Sequence, residues 1–139
     1  MQVKEVMHRG VEWAAPDTPV SEIAKKMRNL DIGAIPVCDQ DRLIGMVTDR
    51  DIVCRAIANG RDVSTLTARD VMSEGIVYCR DSEDLEDAIH IMEDKQIRRM
   101  PAVDKDDRMV GMLSLGDLSH GASQQLSGEV LRAVSGHHT

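Results

Sequence analysis

The sequence predicts an α+β fold, similar to an α/β sandwich, in which two copies of one β-α-β-β-α unit are related by a pseudo-twofold axis. Pairs of residues such as Val6-Met7 recur about 65 residues later, here as Val71-Met72, along almost the whole chain. Apolar residues follow strand and helix spacing in the same order in both halves. The 139 residues suit one compact domain, and neither half looks long enough to bury a core alone.

The internal repeat sets the expected domain boundaries. The further matched pairs are Trp13 with Tyr78, Asp17-Thr18 with Asp81-Ser82, Ala24 with Ala88, Ile35-Pro36 with Met100-Pro101, Asp39 with Asp104, Gly45-Met46 with Gly111-Met112, and Asp51 with Asp117. We expect a first repeat at residues 1–60, a polar linker at 61–68, a second repeat at 69–135 and a disordered tail at 136–139.

Elements of the first copy follow from helix caps, turns and apolar spacing. In order, they are a strand at Val11–Ala14, a helix capped by Thr18 that begins at Pro19, strands at Ala34–Cys38 and Leu43–Val47, and a helix capped by Thr48. The residues expected to be buried on the two helices are Ile23, Met27 and Leu30 on the first, and Ile52, Val53, Ala56 and Ile57 on the second.

Elements of the second copy repeat this order. They are a strand at Ile76–Cys79, a helix capped by Ser82, strands at Arg99–Val103 and Met109–Leu113, and a helical region from about Asp117 toward Val134. The buried stripe of the first of these helices should contain Leu85, Ala88, Ile89 and Met92. Trp13 and Tyr78 are the only large aromatic residues, and we expect them to pack on the core rather than stack on a base.

Composition narrows the class of function. The net charge of −7 and the lack of a basic run argue against a nucleic-acid partner. No apolar stretch is long enough to cross a bilayer, and the N-terminus lacks the apolar core of a signal peptide, so we expect a cytoplasmic protein without a membrane partner. Three cysteines without metal-site spacing favour reduced, mostly buried thiols, although pairing of Cys38 with Cys79 stays open.

Chemistry is expected where a strand passes into a helix, at Gly45–Asp51 and again at Gly111–Asp117. Each segment holds a glycine, two apolar residues, a hydroxyl residue, two variable residues and an aspartate. Free N–H groups at a helix start attract phosphate, and an aspartate in the first turn can accept both hydroxyls of a ribose. The alternative is an ordinary capping residue followed by a first-turn acid. The motif occurs at matching positions in both copies, and this duplication favours a nucleotide site over the capping alternative.

The repeated unit resembles the cystathionine β-synthase (CBS) domain, and the pair resembles a Bateman module. The residues that carry this resemblance are Ile35-Pro36-Val37 with Gly45–Asp51, and Arg98-Arg99-Met100-Pro101 with Gly111–Asp117, and it covers roughly residues 1–120. The resemblance implies AMP, ADP, ATP, NAD or, less favoured here, S-adenosylmethionine bound in clefts between the two copies. It also implies a homodimer, with no required cofactor, no metal and no catalytic residue.

The same resemblance assigns residues to the two sites. Asp51 and Asp117 would hold ribose; Thr48 and Ser114 would contact ribose or phosphate; Ala34, Ile35 and Pro36, and Met100 and Pro101, would line the adenine; Val11 and Ile76 would add apolar wall. Arg50, Arg98 and Arg99 are candidate phosphate clamps, because a guanidinium group binds phosphate in a bidentate fork. Their alternative is solvation or pairing with Asp49, Glu93 or Asp94. Only the second copy has basic residues before its proline, so we expect it to be the stronger phosphate site.

Three hypotheses of function remain. The leading one is a regulatory module that senses an adenine nucleotide. Because the two copies account for almost all of the 139 residues, we expect it to pass the signal to a separate, unidentified target protein. The second is a structural dimerisation domain whose clefts bind nothing. The third, an enzyme such as a weak phosphohydrolase, lacks support because the histidines do not form a set with a nucleophile and an orienting acid.

Overall fold

The computed structural model describes residues 1–117, which divide into two compact units. The first-repeat unit consists of Glu12–Ile76. Within the described residues, the second-repeat unit consists of Met1–Val11 together with the chain from Val77 to Asp117. Each unit has its own aliphatic core. Among residues 1–117, no helix is long and apolar enough to cross a membrane.

The first-repeat unit contains three helical segments and a hairpin. Its elements are α1 (Val20–Leu30), β1 (Ala34–Asp39), β2 (Arg42–Thr48), α2 (Asp49–Asp51), which continues as a π-helical turn at Ile52–Ile57, and α3 (Ala68–Val71). β1 and β2 pair antiparallel, and a parallel bridge joins Ala14 to Val37. Ile23, Ile35 and Val47 are fully buried in its core.

The second-repeat unit has the same plan with a three-stranded sheet. Its elements are a 3-10 turn at Val3–Glu5, β3 (Cys79–Arg80), α4 (Leu85–Lys95), β4 (Arg99–Val103) and β5 (Met109–Ser114). β3 lies parallel to β4, and β4 lies antiparallel to β5. The predicted stripe of Leu85, Ala88, Ile89 and Met92 is buried, as expected.

The first residues of each repeat pack in the unit of the other repeat. The N–H of His8 donates to the carbonyl of Met112 at 2.8 Å, and the N–H of Ser73 donates to the carbonyl of Met46 at 2.9 Å. The compact units therefore differ from the repeats predicted at 1–60 and 69–135. The expected linker at 61–68 packs in the first-repeat unit, because Leu66 is buried and its carbonyl accepts a hydrogen bond from the N–H of Val20.

Several predicted boundaries are wrong at the first strand and first helix of each repeat. Of Val11–Ala14 only Ala14 makes a bridge, and of Ile76–Cys79 only Cys79 is in a strand. α1 begins one residue later than expected, after Pro19 rather than after Thr18, and α4 begins two residues later, after Asp84 rather than after Ser82. The hydroxyl of Thr18 instead accepts from the N–H of Ala15, which closes a local turn that competes with a cap.

Some side chains predicted to be buried are exposed. These are Leu30, Val53, Ile57 and Tyr78. Helical spacing places Leu30 and Ile57 on the apolar stripe, but each stands at the end of its helix, where little chain remains to cover it. The helix predicted from Asp117 toward Val134 and the tail at 136–139 lie outside the described residues, apart from Asp117 itself.

Candidate functional site

At the first strand-to-helix corner, a reciprocal pair of hydrogen bonds fixes the carboxylate of Asp51. The N–H of Asp51 donates to Thr48 Oγ1 at 3.0 Å, and the N–H of Thr48 donates to Asp51 Oδ2 at 2.9 Å. This capping box satisfies two N–H groups that the helix start would leave unpaired. The second oxygen, Asp51 Oδ1, lies 3.6 Å from Nε of Arg55. The predicted cap at Thr48 is confirmed.

The second corner is built in the same way. Asp117 Oδ2 accepts from the N–H of Ser114 at 3.0 Å and from its hydroxyl at 2.9 Å. The N–H of Asp117 donates to Ser114 Oγ at 3.3 Å. Only Oδ2 takes part in these bonds, and a carboxylate has about four acceptor positions. The capping geometry therefore sets the direction of the carboxylate and leaves acceptor capacity on Oδ1.

The hairpins bring further predicted residues to each corner. Ala34 pairs with Thr48 and Arg99 pairs with Ser114 in the antiparallel registers. The next pairs along the strands are Ile35 with Val47, Pro36 with Met46, Met100 with Leu113, and Pro101 with Met112. The side chains of Ile35 and Met100 are fully buried in the two cores. Any contact of these two residues with a ligand must therefore use backbone groups.

The three candidate arginines are exposed at or beside these corners. Arg50 lies in α2, Arg98 immediately precedes β4, and Arg99 begins that strand. Within residues 1–117 none of their guanidinium groups makes an ion pair, so the pairing with Asp49, Glu93 or Asp94 that we considered is absent there. As exposed cations, all three can be reached by an anionic ligand.

Val11 and Ile76 are half-buried and lie in the opposite units from the repeats that they begin. Val11 belongs to the second-repeat unit, which carries Ser114 and Asp117, and Ile76 belongs to the first-repeat unit, which carries Thr48 and Asp51. The sequence pattern could place these residues before the first strands, but it could not show to which compact unit each one belongs.

The capping box alone does not mark a site, because the chain uses it elsewhere. The N–H of Thr67 donates to Asp70 Oδ2 at 2.9 Å, and this bond lowers the pKa of Asp70 below its usual value. Thr67–Asp70 does not follow a strand of a hairpin, whereas Thr48–Asp51 and Ser114–Asp117 both do. The two corners are therefore distinguished from the Thr67–Asp70 capping box by the hairpin strand that immediately precedes each of them.

The cysteines divide into two buried thiols and one exposed thiol, all free. Burial, together with a smaller effect of the nearby carboxylates of Asp41 and Glu83, raises the pKa of Cys38 and of Cys79 to about 12. The Cys38–Cys79 disulfide that we left open is not formed. We expect a thiol reagent at neutral pH to label only Cys54 in the native protein and all three cysteines in urea, counted by mass spectrometry. Rapid native labelling of three thiols would contradict this assignment.

The sequence model of the CBS domain matches residues 3–56 and 68–122. The chain belongs to the CBS domain family. It carries two CBS domains in tandem, the arrangement of a Bateman module. The CBS domain-containing protein YhcV of Bacillus subtilis is 40% identical over 134 residues, which cover 96% of this chain and 94% of the relative. Hypoxic response protein 1 of Mycobacterium tuberculosis is 33% identical over 132 residues, covering 94% and 92%.

Solved structures agree with this CBS pair. The crystal structure of Hypoxic Response Protein I with two coordinated zinc ions has a TM-score of 0.81 and 34% identity, and the match covers 88% of this chain and 100% of that one. The crystal structure of CBSX2 in complex with AMP has a TM-score of 0.76 and 25% identity, covering 86% and 94%. In residues 1–117 no three His, Cys, Asp or Glu side chains form a group that could hold a metal ion.

Proposed function

We propose that this chain is a regulatory module that binds an adenine nucleotide of the AMP, ADP, ATP or NAD type at its two strand-to-helix corners. The observation that carries the proposal is the pair of matching carboxylates, each held through Oδ2 by its own cap. The complex of CBSX2 with AMP supports a ligand with an adenosine group. Asp51 and Asp117 would accept hydrogen bonds from the ribose hydroxyls, as acidic residues do in dinucleotide sites.

Phosphate recognition is assigned to the exposed arginines. Arg98 and Arg99 stand beside the corner of Ser114 and Asp117, and Arg50 follows Thr48 in the other corner. A guanidinium group presents two parallel N–H donors to phosphate oxygens, so an exposed arginine that has no ion pair within residues 1–117 suits this role. S-adenosylmethionine, which is cationic and has no phosphate, fits these positions less well than a nucleotide.

The module would act by shifting populations rather than by catalysis. A ligand changes the balance of two conformations only in proportion to the difference in its affinity for them. The target protein or a second copy of the chain would recognise the favoured conformation.

A thermal-shift experiment tests the binding proposal. We expect AMP, ADP, ATP or NAD to raise the melting temperature, because a ligand that binds only the folded state stabilises it by about 2.7 kcal/mol at a concentration 100 times its Kd. S-adenosylmethionine and a nucleotide with a different base serve as comparisons, and mass spectrometry of the purified protein would identify a ligand carried through purification. A melting temperature that none of the adenine compounds changes would refute the proposal.

A dimerisation module is the second candidate, and one observation favours it. Val53 and Ile57 lie four residues apart on the same face of the π-helical turn and are 53% and 60% exposed. An apolar pair of this kind is a candidate for contact with a second copy. A dimer that Ile57→Glu dissociates, together with no response to any nucleotide, would favour this candidate over ligand sensing.

A further inference from the structure

The first-repeat unit has an open concavity of about 480 Å³ far from its strand-to-helix corner. Its lining includes Trp13, Ala15, Asp17, Asp39 and Arg69. Asp39 ends β1 at the pair with Arg42, while the corner lies at the other end of the strand, where Ala34 pairs with Thr48. Five residues of strand separate these ends by about 16 Å. The concavity is therefore separate from the proposed nucleotide site.

The walls of this concavity are fixed by backbone hydrogen bonds. The N–H of Cys38 donates to the carbonyl of Ala14 at 2.9 Å, which joins β1 to the segment that carries Trp13. The N–H of Arg69 donates to the carbonyl of Pro16 at 3.0 Å, which brings α3 to the same segment. Three parts of the chain thus meet without depending on contacts between the lining side chains, so the space is formed before a ligand arrives.

The second-repeat unit has an arginine at the equivalent position. The parallel pairs Ala14 with Val37 and Cys79 with Ala102 make Ala15 the counterpart of Arg80. The guanidinium group of Arg80 donates to the carbonyl of Asp104 at 2.7 Å and pairs with Asp107 at 2.8 Å. A methyl group in place of that long side chain leaves the space open in the first-repeat unit.

The charged groups around the open concavity are unpaired in the part of the chain that the structure describes. Neither the carboxylates of Asp17 and Asp39 nor the guanidinium group of Arg69 makes a hydrogen bond or an ion pair there. By contrast, Asp104, the counterpart of Asp39, accepts from the N–H groups of Asp106 and Arg108. The half-buried indole of Trp13 adds a flat apolar surface between charges of both signs.

We infer that this concavity binds a small zwitterion of the amino-acid type. Its carboxylate pairs with the guanidinium fork of Arg69, its ammonium group lies against Asp17 and Asp39, and its side chain packs on the ring of Trp13. A simple anion would leave the two carboxylates unused and facing it, and a simple cation would face Arg69. The site goes beyond the proposed nucleotide function and does not depend on it.

Trp13 makes the test direct, because it is the only tryptophan in the chain. We expect at least one of the twenty free amino acids to change its fluorescence in a saturable way. The decarboxylated amine and the deaminated acid of that amino acid should each bind at least about tenfold more weakly than the amino acid itself. The amino acid should likewise bind Arg69→Gln at least about tenfold more weakly than it binds the wild type. Arg28→Gln, an exposed change on α1 outside the concavity, is the matched control and should bind as the wild type does.

Ala15→Arg provides a second variant, since it introduces the long side chain that stands at the equivalent position of the second-repeat unit and should occupy the concavity. It should abolish the fluorescence response while circular dichroism shows a folded protein. Asp117→Ala should leave the response unchanged, which separates this site from the nucleotide corners. The inference is overturned if no amino acid changes the fluorescence, or if Arg69→Gln and Ala15→Arg respond as the wild type does.

Discussion

Asp117→Ala is expected to weaken nucleotide binding at least tenfold (roughly 1.4 kcal/mol), whereas Asp51→Ala should change it little. Loss of a charge-assisted hydrogen bond to a ribose hydroxyl is worth about 1.5–3 kcal/mol. Two features make the corners unequal. Arg98 and Arg99 flank only the corner of Asp117, and the remaining oxygen of Asp51 already has Arg55 at 3.6 Å. Isothermal titration with AMP or ATP measures both variants.

Both substitutions also remove a capping box, so loss of stability must be separated from loss of affinity. Asp70→Ala is the matched control, because Asp70 makes the same bond to Thr67 away from either corner. Each of the three variants should lose about 1 kcal/mol of unfolding free energy, but only Asp117→Ala should lose affinity. Equal losses of affinity in Asp51→Ala and Asp117→Ala would contradict the asymmetry and leave two equivalent sites.

The hairpins and the two corners were predictable because local sequence determines them. Apolar runs around Ile35 and Met100, turn residues between the strands and a hydroxyl cap at each corner all act over a few residues. The observed β1 and β4 begin at the predicted Ala34 and Arg99. The capping boxes arise from the same spacing that suggested ribose binding, so one pattern predicted both the local structure and the candidate chemistry.

The failures occurred where contacts distant in sequence decide the structure. Met7 and Met72 belong to segments that pack in the unit of the other repeat, and periodicity carries no information about which partner a segment chooses. Tyr78 is 45% exposed although aromatic composition suggested a core role. The concavity at Trp13 depends on the difference between Ala15 and Arg80, which becomes meaningful only once the parallel strand pairs are known.

Gly111→Ala should be the most destabilising substitution of a glycine in this chain's repeated motif. An added Cβ would lie 2.7 Å from Sδ of Met7 and 2.9 Å from the carbonyl oxygen of His8. The sulfur can move, but His8 is held by hydrogen bonds to Met112 in both directions, at 2.8 and 2.9 Å. Overpacking of this kind costs about 1–3 kcal/mol, and we expect the upper part of that range because a backbone atom must shift. Urea unfolding measures the loss.

Gly45→Ala tests the same close approach in the other unit with a weaker clash. Its Cβ would lie 2.6 Å from Sδ of Met72 but 3.1 Å from the nearest backbone oxygen, that of Ser73. Because most of this clash is with a flexible side chain, the loss should fall nearer to 1 kcal/mol. Among residues 1–117 the Cβ of Gly116→Ala would meet only Ser114 Oγ, at 3.6 Å, so we expect this substitution to cost the least stability of the three. If Gly111→Ala unfolds at the same urea concentration as Gly116→Ala, the N-terminal segment does not pack against β5 as described. The packing of the first residues of each repeat in the unit of the other repeat would then be wrong.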